Sequence, residues 1–183
     1  EPVVTAAAGE SPAERFAAAR AAQRHPQTAV FAANQRFELD PFQLEGCFAL
    51  EEGRSVLVAA PTGAGKTIVG EFAVHLAMTG ARDKVFYTTP IKALSNQKFH
   101  ELTQVYGADQ VGLLTGDTNI NGGARIVVMT TEVLRNMLYA DSPALAELRF
   151  VIMDEVHYLA DRFRGAVWEE VLIHRRAPSG SSR

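Results

Sequence analysis

The chain has 183 residues, 47% of them hydrophobic and 21% charged, with a formal net charge of −3. That length and apolar content suffice for one sizeable core and exclude wholesale disorder, while the near-balanced charge gives no global attraction for nucleic acid. A single cysteine, Cys47, excludes an internal disulfide and fits a reducing compartment, and no apolar run of about twenty residues could span a bilayer. The alanine-rich start is interrupted by Glu10, Glu14, Arg15 and Arg20, which is unlike a secretory signal, so the expected location is cytoplasmic.

Residues 1–36 read as a leader followed by a helix. After a flexible stretch over 1–9, Ser11-Pro12 offers a cap and a first-turn proline for a helix to about Arg24, ended by Pro26. Its alanines give propensity rather than an apolar face, so the helix should be loosely attached. Asp40 then caps a second helix, opened by Pro41, whose Leu44, Cys47 and Phe48 make an apolar stripe to about Glu52. From there strands and helices alternate. A buried strand is expected at 55–60, a helix at 66–78 carrying Val69, Phe72, Ala73 and Leu76, and a strand at 84–89. Pro90 should open a helix running through Leu94, Phe99, Leu102 and Val105. Strands follow at 111–114 and 125–130, the latter after a turn at Asn121-Gly122-Gly123. A helix at 131–139, an apolar strand at 150–153 and a helix at 166–174 complete the pattern, before a flexible Ser/Gly-rich tail at 177–183. Strands separated by helices predict an α/β fold with a mostly parallel sheet.

Ala60-Pro61-Thr62-Gly63-Ala64-Gly65-Lys66-Thr67 lies between a predicted strand and a predicted helix. Small residues there let successive backbone N–H groups close around a phosphate, and the helix N-terminus adds partial positive charge. Lys66 supplies a cation for the β- and γ-phosphates of ATP, and the Thr67 hydroxyl is placed to join a Mg²⁺ shell. The bland alternative, an ordinary glycine-rich strand–helix turn, leaves the filled Gly-Lys-Thr positions unexplained.

A second acidic motif stands at the end of the strand at 150–153. Asp154 is positioned to hold Mg²⁺ and Glu155 to orient and deprotonate an attacking water. Alone, an Asp-Glu pair more often caps a following helix; a phosphate loop in the same chain favours the catalytic reading. His157, taken alone, reads as an ordinary surface or core histidine.

Asp154-Glu155-Val156-His157 is a DEVH box, and the run from Asp154 to Glu170 resembles the superkiller-type RNA helicases of superfamily two, including their bacterial HelY-type branch. The resemblance runs from about Phe37 to His174 and implies a RecA-like P-loop domain over 37–176, three-layered and incomplete at its C-terminal side. It implies that Phe37 stacks on adenine and Gln43 reads its edge, although Asp40-x-x-Gln43 is also a capping box and Gln43 could simply close its own helix. It implies strand-gripping roles for Pro90, Lys92 and Asn96 in T-P-I-K-A-L-S-N-Q, for Gly116 in L-T-G-D, and for Thr131 and Arg135 in T-T-E-V-L-R. Taken singly, each of these segments reads as a capped helix or a turn, and Glu132 as a helix-start charge. Such contacts follow a phosphate backbone without reading sequence. His157 is implied to couple the nucleotide site to a second motor lobe.

That family continues with a strand ending in Ser-Ala-Thr and a second RecA-like lobe, whose arginines are worth about 10³–10⁵ in rate in comparable enzymes. The 183 residues alone are therefore expected to be a weak ATPase and no helicase, with an unpaired sheet edge where the next strand would lie and only marginal stability. The expected function is an ATP-dependent RNA helicase, with ATP and Mg²⁺ as cofactors and single-stranded nucleic acid and the second lobe as partners. A DNA helicase or translocase of the same superfamily, or a nucleotide-binding module with little activity, are the alternatives, since nothing in these motifs senses a 2′-hydroxyl.

Overall fold

Each of the first three helices opens on a proline: α1 spans Pro12–Arg24, α2 Pro26–Ala33 and α3 Pro41–Glu51. A fixed φ and a missing N–H suit proline to the first turn, where the donor would have no partner. Pro26 therefore does two things where the sequence suggested one. It pushes His25 out of helical geometry, to φ −128° and ψ 67°, and it starts α2, which the sequence reading missed.

The computed structural model describes residues 12–61 and 63–155, and the chain divides between Phe72 and Ala73 into two compact units. In the first unit an acid at the end of α3 caps α2. The Gln27 and Thr28 N–H groups each donate to the Glu51 carboxylate at 2.9 Å, and the Thr28 hydroxyl donates at 2.7 Å. Helix N-terminal donors are thus satisfied by a full negative charge, which also suits the helix dipole. His25 stacks on Phe48 with ring centroids 4.3 Å apart. Helix α4, Thr67–Thr79, begins in this unit and ends in the next.

The second unit is built on a five-stranded sheet. Its strands are β1 (Lys84–Thr89), β2 (Val111–Leu114), β3 (Asn119–Ile120), β4 (Ile126–Thr130) and β5 (Leu148–Met153), in the order β3-β2-β4-β1-β5. All pairings are parallel except the short β2–β3 hairpin. Between these strands run α5 (Lys92–Tyr106) and α6 (Thr131–Tyr139). On one face Val85 and Tyr87 of β1, Val111 and Leu113 of β2, and Ile126 and Val128 of β4 pack with Val74 and Ala77 of α4 and Leu102 of α5. On the other, Phe86, Val127 and Met129 pack with Leu134 of α6. Strands covered on both faces read as continuous apolar runs, as these do. Among the described residues no helix is long and apolar enough to cross a membrane.

Several expectations need correction. Residues 55–60 form no strand, and Leu57 is 83% exposed, so the expected buried strand before the phosphate loop is absent among the described residues. An apolar run makes a strand only where a ladder partner is available. The acidic strand starts two residues earlier than expected, at Leu148, and forms the end of the sheet beyond β1, only half-buried where β1 and β4 are buried. Helix α5 starts at Lys92 rather than Pro90, because Ile91 takes an extended conformation at φ −140°. Val105 is 73% exposed and contributes nothing to the core. The antiparallel β3 was not foreseen. The leader over 1–9, the helix at 166–174 and the tail at 177–183 lie outside the described residues.

Arg125 ties the C-terminal end of α4 to the start of β4. Its guanidinium donates to the carbonyls of Ala77 at 2.8 Å and Gly80 at 2.5 Å, and more weakly to that of Asp83 at 3.3 Å. Ala77 lies in the last turn of α4 and Gly80 and Asp83 follow it, where helix-end carbonyls lack the next turn's N–H groups. Arg125→Met keeps the stem and removes the donors, and should lower unfolding free energy by about 1.5–3 kcal/mol, read as a reduced urea midpoint at unchanged slope.

Candidate functional site

In the first unit the loop of residues 60–67 turns through two glycines in left-handed backbone, Gly63 at φ 85° and Gly65 at φ 73°, and runs directly into α4. A side chain at Gly65 would be strained by that backbone, and a Cβ there would lie 2.6 Å from Gln43 Nε2. The Ala64 N–H donates to the Pro61 carbonyl at 3.2 Å, and Lys66 Nζ donates to the Ala60 carbonyl at 2.8 Å, closing the loop on itself. Thr67 is the first residue of α4, and the Ile68 and Val69 N–H groups that follow it donate to the Gly65 and Lys66 carbonyls at 3.2 Å. Thr62 lies outside the described residues.

Of the two sequence readings of Gln43, its side-chain contacts show the capping one, together with a contact to the phosphate loop that neither reading foresaw. Gln43 is 2% exposed; its Oε1 accepts the Asp40 N–H at 2.8 Å, as a capping residue does, and its Nε2 donates to the Gly65 carbonyl at 2.9 Å. The amide thus joins the start of α3 to the phosphate loop. Phe37, 53% exposed, lines an open cleft of about 550 Å³ together with Gln35, Arg36, Leu39 and Leu44.

In the second unit Asp154 follows β5 directly. Its N–H donates to the Thr88 carbonyl at 3.0 Å, which extends the β1–β5 ladder by one residue. The carboxylate is oriented on both oxygens: Tyr87 donates its phenol to Oδ2 at 2.6 Å, and the Glu155 N–H donates to Oδ1 at 2.9 Å. Glu155 adopts φ 57°, an uncommon value for a non-glycine residue. A carboxylate has about four lone-pair sites, so Asp154 keeps acceptor capacity for a hard cation; Mg²⁺ usually takes only one or two protein carboxylates beside substrate phosphates. The donor set fits. Tyr87 is the residue that sequence reading missed: an apolar alternation marks it as core, and nothing in the pattern shows that its hydroxyl ends at the acid. His157 lies outside the described residues.

The segments read as strand-gripping converge at the carboxyl ends of three adjacent strands, β2, β4 and β1. Pro90, Lys92 and Asn96 follow β1, Gly116 follows β2, and Thr131 and Arg135 follow β4. The Thr131 side chain is buried, with its hydroxyl donating to the Thr89 carbonyl at 3.3 Å, and so fixes α6 against the end of β1. Thr89 Oγ1 and Ser95 Oγ share a buried hydrogen bond of 2.7 Å that fixes α5 in the same way. Lys92 and Gly116 are exposed.

The family profile of DEAD/DEAH box helicases matches residues 40–182. The chain belongs to the DEAD/DEAH box helicase family. Over 143 residues this helicase chain is 68% identical to the probable helicase HelY of Mycobacterium tuberculosis, covering 78% of the chain and 16% of that protein. It is 52% identical over 137 residues to the antiviral helicase SKI2 of Saccharomyces cerevisiae, covering 75% of the chain and 11% of SKI2. It is equally similar, at 52% over 137 residues, to the ATP-dependent RNA helicase mtr4 of Schizosaccharomyces pombe, covering 75% of the chain and 12% of mtr4. Among solved structures, the DUF1998 helicase MrfA bound to DNA and AMPPNP aligns with a TM-score of 0.60 at 20% identity, covering 75% of the chain and 21% of MrfA. That likeness establishes the RecA-like lobe fold. The helicase chain spans only a small part of the length of these curated relatives.

Cys47 takes no part in this candidate site. It is fully buried, and burial, with a smaller contribution from the negative charge of Glu51, pushes its thiol up to about 12. A neutral, inaccessible thiol is a poor nucleophile. At pH 8 it should react with a thiol-specific disulfide reagent at the rate of unfolding, and with a fast second-order rate only in denaturant; fast labelling of the native protein would contradict the placement.

Proposed function

We propose that this chain forms the ATP-binding lobe of an ATP-dependent RNA helicase that binds ATP·Mg and holds single-stranded nucleic acid by its backbone, in the cytoplasm. The observation that carries the reading is the loop of residues 60–67, with left-handed Gly63 and Gly65, Lys66 at its end and α4 immediately after it. This arrangement of N–H groups, helix terminus and cation matches the chemistry of a polyphosphate.

Lys66 exchanges the Ala60 carbonyl for the β- and γ-phosphates, where an ammonium offsets charge that grows as the terminal phosphoryl group leaves. Thr67 and Asp154 would each offer an oxygen to Mg²⁺, which when bound would supply neutralisation of the charge developing on the phosphates. Tyr87 holds one oxygen of Asp154 and leaves the carboxylate facing one way. Glu155 takes the proton of the attacking water, and its left-handed backbone turns it away from the strand line that Asp154 follows. Phe37 stacks on adenine, and Gln43 joins that recognition to the loop through Gly65. His157 couples hydrolysis to the second lobe. The similarity to mtr4, which is named as an RNA helicase, supports RNA over DNA. Pro90, Lys92, Asn96, Gly116, Thr131 and Arg135 form the strand-holding surface, with buried Thr131 acting through backbone position rather than its hydroxyl.

Calorimetry of ATP·Mg binding tests this reading. Lys66→Ala should abolish saturable binding, and Gln43→Ala should weaken it and reduce the preference for adenine over guanine nucleotides. Unchanged affinity in Lys66→Ala, in a protein with native circular dichroism, would remove the loop from the mechanism. In the full-length protein, stimulation of ATPase by single-stranded RNA but not DNA would support the RNA assignment, and the opposite preference would establish the DNA reading.

A further inference from the structure

The exposed ammonium of Lys92 already has a partner. Its Nζ lies 2.6 Å from Asp117 Oδ2 and 2.8 Å from Oδ1, so the carboxylate takes it with both oxygens. The two residues come from different loops. Lys92 opens α5 after β1, and Asp117 lies in the β2–β3 turn; β4 stands between β1 and β2 in the sheet. With strands about 4.8 Å apart, the pair bridges roughly 10 Å across the carboxyl end of β4. Ligands of open parallel sheets bind at that edge.

Asp117 is not a casual neighbour on a mobile surface. The Thr115 hydroxyl, on a side chain that is 8% exposed, donates to its Oδ1 at 3.0 Å, and the Thr118 hydroxyl does so at 3.3 Å. The Thr115 N–H donates to the Thr118 carbonyl at 2.9 Å and closes the turn around it. The hydrogen bonds from Lys92 first, then from Thr115, hold its carboxyl below the usual carboxylate range. A fixed anion therefore sits on the cation that the proposed function gives to a phosphate. Both side chains are substantially exposed, at 48% and 69%, and an exposed ion pair of this kind is weak enough to exchange partners.

We propose that Asp117 is an internal counter-ion that competes with a backbone phosphate for Lys92 and so sets how tightly this surface holds a nucleic-acid strand. The proposal rests on the reading of Lys92 as a phosphate contact. Its physical content is an exchange of one anion for another. In the free protein the Lys92 charge is already neutralised, so taking up a phosphate there displaces Asp117 and adds no net neutralisation of the strand. The contact is then easily made and easily released, as a motor that moves along a strand requires. Removing the carboxylate charge converts the exchange into a simple capture.

The test is binding of a fluorescein-labelled oligouridylate by anisotropy at several salt concentrations, with the full-length protein and its Asp117→Asn, Lys92→Gln and double variants. Asp117→Asn should bind several-fold more tightly at low salt, with the slope of log K against log salt steeper by about 0.7, the value for one further phosphate neutralised on a single strand. Lys92→Gln should bind more weakly, and adding Asp117→Asn to it should restore little. An equal gain from Asp117→Asn in both backgrounds would show general charge repulsion and overturn the counter-ion. A loss of affinity in Asp117→Asn would overturn it too, by making Asp117 a positioning residue for Lys92. If Lys92→Gln binds as the unaltered protein does, the reading of Lys92 itself fails, and the counter-ion with it.

Discussion

The second unit depends on the parallel register of β1 with both of its neighbours. Val85 pairs with Ile126 on one side and Phe150 on the other, and the ladders run to Thr89–Thr130 and Thr88–Met153. Parallel pairing sends every carboxyl end to one edge of the sheet, so the chain leaves β1, β4 and β5 at the same level. A slip by one residue would reverse which side chains face α5 and which face α6, and would bury Thr88 and Thr89 in the wrong layer. Because the register holds, Tyr87 meets Asp154, Thr89 meets Ser95 and Thr131, and Lys92 meets Asp117. The meeting of these residues at one edge is a consequence of the sheet's direction rather than of any one loop.

The loop of residues 60–67 depends on local geometry instead. Left-handed glycines and the Gln43 amide shape it, and residues 55–60 before it have no ladder among the described residues. Gln43 holds it from the side by one hydrogen bond to a carbonyl. A loop fixed by backbone turns and a buried amide can present N–H groups without a strand pairing behind it, and the 2% exposure of Gln43 keeps water from competing for that bond.

The sequence made most of this legible because the motifs are backbone devices. Glycine positions, a proline at the start of each of the first three helices and apolar runs between them constrain φ, donors and burial directly, so β1, β2, β4, α3, α4 and α6 were all readable within two residues. What was not readable depended on partners distant in sequence. The run at 55–60 is apolar and β-branched, yet composition does not state whether a neighbouring strand pairs with it. Helix α2 follows a proline that reads equally well as a terminator, and its cap comes from Glu51 on the next helix. For the candidate site, Lys66, Asp154 and Glu155 were visible as motif positions. Tyr87 was not, and Asp117 was visible only as the last residue of L-T-G-D, since their significance lies in a phenol and a carboxylate that meet residues 67 and 25 positions away.

Central to the proposed function is that the loop of residues 60–67 takes the phosphates of ATP and that Lys66 changes partner to do so. A crystal structure with a non-hydrolysable ATP analogue and Mg²⁺ measures this directly. The triphosphate should lie against the N–H groups of Gly63 to Thr67, with Lys66 Nζ moved from the Ala60 carbonyl to phosphate oxygen. A nucleotide bound elsewhere, with the Lys66–Ala60 hydrogen bond still in place, would contradict it.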